Sequence, residues 1–221
     1  MIKGIIFDMD GTMIDSEPIY EEISKEIYDK YGIELTEEDK ERHLGSSLKD
    51  IWTDILEHHE VDEEFSHYKR EDFMEDHIHS SYQGLAEAED LQLIPGLEEW
   101  LEFFKDHGYK MIIASSSYEP VIEHVYQRFG LEEYMEGYVD GNAVENGKPE
   151  PDIFIRAAEK MGLSPAECII IEDSKKGVEG AAASGAKVIA FTGNSSSTQD
   201  LSAADYIIDE YNQENLNKII K

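Results

Sequence analysis

The stretch Ile2-Lys3-Gly4-Ile5-Ile6-Phe7-Asp8-Met9-Asp10-Gly11-Thr12 decides how this chain is read. Residues 2–7 are short, apolar and rich in β-formers, as a strand buried on both faces is. The run leads straight into two acids and a glycine. In an extended chain residues i and i+2 face the same way, so Asp8 and Asp10 point together beyond the strand, and Gly11 lets the chain turn there. Two carboxylates that close repel by roughly 4 kcal/mol at 4 Å and an effective dielectric near 20. They need a cation or a shared proton.

Working outward, residues 109–114, 168–171 and 187–191 read as buried strands of the same kind, and 206–208 more weakly so. Helical spacing of apolar residues spans 96–107, 120–129, 151–161 and 175–184. Strand and helix alternate from Pro95 onward, which predicts an α/β fold with a parallel sheet and a site at the carboxyl ends of its strands. Residues 15–90 break that rhythm. They carry no strand pattern, only helical stretches at 16–31, 36–43, 48–59 and 62–82. Of the 50 acidic residues, 25 fall here against 7 Lys and Arg, which sets the segment apart as an acidic all-helical insert. The acidic runs Glu37-Glu38-Asp39 and Asp62-Glu63-Glu64 read as solvated helix starts, favourable to the helix dipole. His77 and His79 read as solvated, since two residues apart they do not share a helix face. Gly193-Asn194-Ser195-Ser196-Ser197-Thr198 reads as a connector.

Composition narrows the function. The 221 residues carry 19 Lys and Arg against 50 Asp and Glu, a net charge of −31, which disfavours a nucleic-acid surface or docking on anionic lipid. The same charge and the lack of heptads predict a monomer. A single cysteine, Cys168, excludes an intramolecular disulfide and a cysteine-based zinc cluster. No apolar run approaches the roughly 20 residues of a membrane helix, and Asp8 interrupts the first apolar run too early for a signal peptide. A cytoplasmic location is expected.

Three further stretches carry chemistry. Glu172-Asp173 ends a strand as Asp8-Met9-Asp10 does, so neighbouring parallel strands would bring four carboxylates together. Oxygen ligands without His or Cys favour Mg²⁺ over Zn²⁺. Ser115-Ser116-Ser117 follows a strand and precedes a helix, where hydroxyls and backbone N–H groups cradle an anion. Gly147-Lys148-Pro149 supplies a cation on a rigid turn. Together these form a toolkit for phosphoryl transfer through an aspartyl-phosphate.

With these motifs in this order, the chain resembles the haloacid dehalogenase superfamily, in the subgroup with a helical cap inserted after the first motif. The resemblance covers the whole chain. It implies a Rossmann-like core from residues 1–14 and 91–221, with a mobile helical cap at 15–90. It implies Asp8 as nucleophile and Asp10 as general acid, then base. Ser115 and Lys148, with Ser116 beside them, would hold the phosphoryl group. Mg²⁺ would be held by Asp8, the Asp10 carbonyl and Asp173, with Glu172 at or next to the metal. The partner would be a small phosphorylated metabolite.

Asp10 separates the chemistries of that superfamily, because its dehalogenases lack a second aspartate there. Phosphonate cleavage uses a cap lysine close after the first motif, and Lys25 lies well inside a helix. The expected activity is therefore a phosphatase acting on a sugar or polyol phosphate. The alternative is a β-phosphoglucomutase. Those mutases carry a histidine where this chain has Tyr20, and an arginine in a cap loop that here reads Gly45-Ser46-Ser47-Leu48-Lys49. Tyr20, Ser46, Ser47 and Lys49 are the candidate specificity residues, followed by Lys69 and Arg70. A non-catalytic binding module on the same fold is the reading from another class. It would be favoured by a missing catalytic residue, and Asp8, Asp10, Lys148 and Asp173 are all present.

Overall fold

The computed structural model describes residues 1–193 and 199–220, so the connector expected after Gly193 lies outside the described residues. Six strands form one parallel sheet: β1 (Gly4–Phe7), β2 (Lys110–Ala114), β3 (Tyr138–Val139), β4 (Cys168–Glu172), β5 (Lys187–Phe191) and β6 (Tyr206–Ile208). Their spatial order is β3-β2-β1-β4-β5-β6, a doubly wound Rossmann-like arrangement with β1 at the centre. The alternation of the strand side chains explains why both faces are covered. Ile5, Phe7, Met111, Ile113, Ile169 and Ile171 face one apolar layer, completed by α5 (Leu97–Asp106), α6 (Glu119–Arg128) and α9 (Gln213–Ile219). Ile6, Ile112, Ala114, Cys168 and Ile170 face the other, completed by α7 (Asp152–Lys160) and α8 (Lys175–Ser184).

The helical cap is built from α1 (Glu17–Tyr31), α2 (Glu37–His43), α3 (Leu48–His58) and α4 (Arg70–Glu87). Their shared core centres on Ile23, Ile27, Tyr31, Trp52, Ile55 and Phe73. Trp52 stacks on Phe73 at 4.9 Å, and Tyr31 meets Phe73 edge-on at 4.7 Å. The two linkers to the sheet run side by side, with Ile94 N–H on the Met13 carbonyl at 2.8 Å. Arg128 of α6 clasps the junction of α4 and the second linker by donating to the carbonyls of Leu85 at 2.9 Å and Ala88 at 2.7 Å.

Several expectations need correction. The helix read at 62–82 is instead one 3₁₀ turn at Glu63–Phe65 and the separate helix α4. The chain between them is extended at Lys69, whose N–H donates to Asp72 at 2.7 Å and starts the new helix. His77 is buried, not solvated. Its Nδ1 accepts from the Trp52 indole at 3.3 Å, and burial pushes its pKa down to about 4, so it is a neutral acceptor. Asp39 is also buried, in a reciprocal cap with Thr36: its carboxylate accepts the Thr36 N–H at 2.8 Å. The helix start was legible, but its third acid is folded back onto the backbone. Strand β3 and helix α9 had no counterpart in the sequence reading. Two residues are too few for a periodicity, and α9 is mostly polar.

Near the far end of the chain, Tyr211 stacks on Phe191 at 4.6 Å and donates its hydroxyl to the Thr12 carbonyl at 2.9 Å. Gly96 lies so close to Tyr211 that a Cβ would fall 2.0 Å from its carbonyl oxygen, so this contact admits glycine alone.

Candidate active site

The site forms where the three central strands end together. Phe7 is level with Ile113 on one side and Ile171 on the other. One residue further along these strands come Asp8, Ala114 and Glu172, and then the loops containing Asp10, Ser115 and Asp173. The parallel register therefore brings to one edge what the sequence scatters over 165 positions. The Asp8 N–H still bonds the Ile171 carbonyl at 2.9 Å, and then the chain turns back. Gly11 makes that turn at φ +80°, where a Cβ would fall 2.2 Å from Asp173 Oδ2. Both conformation and proximity require glycine there.

Lys148 is buried and bridges two acids, donating to Asp8 Oδ1 at 2.6 Å and Glu172 Oε1 at 2.7 Å. The other Glu172 oxygen accepts the Ser174 N–H at 2.6 Å and its hydroxyl at 3.0 Å. Glu172 thus has both oxygens engaged and serves as the anchor of Lys148. Among the described residues Asp173 has only the Thr12 hydroxyl, at 3.5 Å. One oxygen each from Asp8, Glu172 and Asp173 lie within 4.8 Å of one another.

The electrostatics follow from this crowding. Burial pushes the Asp8 carboxyl above the usual range; Lys148 pulls against it, while Glu172 and Asp10 add to the push. Burial raises Asp173 in the same way, helped by Glu172 and Asp8. Burial would lower the Lys148 ammonium, but Asp8 and Glu172 together hold it above its ordinary value. Ionised together, Asp8, Glu172 and Asp173 would carry more negative charge than one lysine balances.

Asp10 sits on the open side. Its Oδ1 accepts from Ser16 at 2.7 Å and its Oδ2 from Ser117 at 2.7 Å, with Ser115 more distant at 3.4 Å. The sequence pointed to Ser115-Ser116-Ser117 as an anion cradle, with Ser115 and Ser116 as the phosphoryl-binding candidates, and the structure gives Ser117 a separate task on Asp10. Ser115 is buried and accepts the Ser117 N–H at 3.0 Å, which shapes that turn. Ser116 contributes its backbone, packed against Gly141. Tyr20 of α1 brings its hydroxyl beside Asp10 and Ser117 without a full hydrogen bond, and burial, with Asp10 next, raises its pKa well above that of a free phenol.

The other cap candidates are placed differently. Ser47 caps α3 and donates to Asp50 Oδ2 at 2.6 Å, on the side facing Gly147. Ser46 binds Lys176 of the core. Lys49 and Lys69 are exposed. Arg70 reaches Thr53 at 3.1 Å and Glu71 at 2.8 Å, while its buried Nε has no partner among the described residues. Sequence reasoning missed Ser16, Asp50, Lys176 and the contact of Ser117 with Asp10. Ser16 was read as a helix start, and nothing in its local pattern ties it to Asp10.

A family pattern described as haloacid dehalogenase-like hydrolase matches residues 5–191. The chain is 31% identical to a phosphorylated carbohydrates phosphatase of Thermotoga maritima, over 83% of this chain and 82% of that protein. It is 27% identical to a beta-phosphoglucomutase of Bacillus subtilis, over 80% of this chain and 77% of the relative. The crystal structure of CbbY from Rhodobacter sphaeroides in complex with phosphate superposes with a TM-score of 0.85, covering 96% of both chains at 23% identity, and shares the fold.

Proposed function

Because the chain belongs to the haloacid dehalogenase-like hydrolases, we propose that it is a Mg²⁺-dependent phosphatase of a small sugar or polyol phosphate, working through an aspartyl-phosphate on Asp8. The observation that carries this reading is the pairing of two unlike aspartates at one strand end. Asp8 is buried against an ammonium, whereas Asp10, two residues on, is held by hydroxyls on the open side.

The residues present fit a hard divalent cation. The donor set is all oxygen, the carboxylates when ionised carry more charge than Lys148 offsets, and among the described residues Asp173 has a single weak partner. Asp8, Asp173 and the Asp10 carbonyl would hold Mg²⁺, with Glu172 fixed behind them by Lys148 and Ser174. The ion supplies charge neutralisation for the phosphoryl oxygens.

The chain's own groups then act in two steps. Lys148 and the loop of Ser115 and Ser116 orient the phosphoryl group. An Asp8 oxygen attacks phosphorus, the ester P–O bond breaks, and Asp10 gives its proton to the leaving alkoxide. Asp10, now a carboxylate, takes a proton from water as the oxygen of that water attacks phosphorus. The bond to Asp8 breaks and phosphate leaves. Ser16 and Ser117 keep Asp10 aimed throughout. Residues 15–90 act as a cap on the linkers at 13–16 and 88–95, excluding bulk water when closed. Tyr20 contributes to the cap's side of the site.

The phosphatase relative supports this substrate class. The mutase relative keeps a second reading in view, the interconversion of β-glucose 1-phosphate and glucose 6-phosphate. Tyr20 and the arginine-free loop at 45–49 weigh against it. The test is phosphate release by the purified protein from a panel of sugar, polyol and nucleoside monophosphates, with and without EDTA. Release that EDTA abolishes and Mg²⁺ restores is expected. Glucose 6-phosphate formed from β-glucose 1-phosphate with little free phosphate would establish the mutase instead.

A further inference from the structure

The loop joining α2 to α3 rests on the first turn of α8. Gly45 packs so tightly there that a Cβ would lie 2.6 Å from Ser174 Oγ. Beside it the half-buried Lys176 donates its ammonium to the Arg42 carbonyl at 2.5 Å and to the Ser46 hydroxyl. Both acceptors belong to the cap, and Lys176 belongs to the core, three residues after Asp173. Behind this contact Ser174 holds Glu172, Glu172 holds Lys148, and Lys148 holds Asp8, each within 3.0 Å.

We propose that Lys176 is a positioning residue: it seats the cap loop on the core and couples the closed cap to the row Ser174–Glu172–Lys148–Asp8. Lysine suits the task. A flexible stem with three rotatable donors serves two acceptors on the cap loop, and the ammonium would return to water if the loop lifted. The Arg42 guanidinium is no substitute, because Asp39 and Asp54 hold it at 2.6 and 2.7 Å and only its carbonyl faces the core lysine. The ammonium is partly desolvated in this contact, which offsets part of what the hydrogen bonds contribute.

The kinetic side of this inference rests on the phosphatase reading; the structural side does not. Hydrogen exchange of the full-length protein without substrate gives the first readout. Lys176→Met is expected to speed exchange about tenfold at residues 44–50 and 173–177 while β1 and β4 stay protected. Ser46→Ala is expected to do so more weakly, and Lys176→Arg to restore part of the protection. The second readout is kcat/KM for whichever ester the protein hydrolyses. It should fall about tenfold in Lys176→Met, with Ser46→Ala adding nothing in that background. Unchanged exchange in Lys176→Met and Ser46→Ala, or kinetic losses that add in full, would overturn the coupling. Faster exchange in a protein that hydrolyses no ester would support Lys176 and count against the phosphatase.

Discussion

Lys148 Nζ lies 2.6 Å from Asp8 Oδ1, joining residues 140 positions apart, with the two side chains 2% and 7% exposed. An ion pair this buried exerts its effect mainly through what its loss would leave behind. Lys148→Met strands Asp8 and Glu172 face to face without a counter-charge. Breaking such a pair costs about 3–5 kcal/mol, so urea unfolding of the metal-free variant should show a loss of that order, and phosphate release should disappear.

Asp8→Asn separates chemistry from folding. The amide cannot attack phosphorus, so kcat should fall by at least about 10³-fold. Lys148 still has Glu172 at 2.7 Å, and one source of carboxylate repulsion is gone. The melting temperature followed by circular dichroism should therefore hold or rise. Parent-like turnover in this variant would remove Asp8 from the nucleophile's role.

Gly177 tests how firmly Glu172 is fixed. A Cβ at Gly177 would fall 1.8 Å from Glu172 Oε1, and that carboxylate is pinned by Lys148 and Ser174. Although alanine favours helices, Gly177→Ala should destabilise by about 1–3 kcal/mol and lower kcat through displaced Lys148. Denaturant unfolding and phosphate release on the same preparation check both effects.

His77 gives stability a pH dependence of known sign. Its pKa is about 4 in the folded protein against 6.5 when free, so the unfolded chain binds the proton more readily. The contribution of neutral His77 is complete above pH 6.5 and is lost as pH falls towards 4, about 3 kcal/mol in all. Relative to His77→Gln, which has no such proton, the parent should lose about that much stability between pH 7 and 4 in urea titrations.

The fold was legible because buried parallel strands are uniformly apolar. Residues 187–191 and 206–208 match their strands to the residue, and the other long strands are displaced only at their ends. The loops of Asp8 and Asp173 announced themselves by standing where apolar runs stop, and Lys148 by its place in Gly147-Lys148-Pro149. The partners that hold those groups did not. Ser117 differs from Ser115 and Ser116 only in which way its hydroxyl turns, and Lys176 looks like any lysine on an exposed helix start. His77 lies among polar neighbours in sequence and is buried by the aromatic rings of Trp52 and Tyr28, which come from other helices. Such roles arise from packing between elements, and local periodicity carries no record of it.

The Tyr211–Thr12 contact sets an order on the making of this protein. Translation delivers the Asp8–Thr12 loop first, yet the hydroxyl that holds Thr12 belongs to a residue 199 positions later. The strands flanking β1 also come late, at 110–114 and 168–172. A ribosome-bound chain therefore carries Asp8 past the synthesis of residues 110–114, 168–172 and 211 before the contacts that enclose its loop can form.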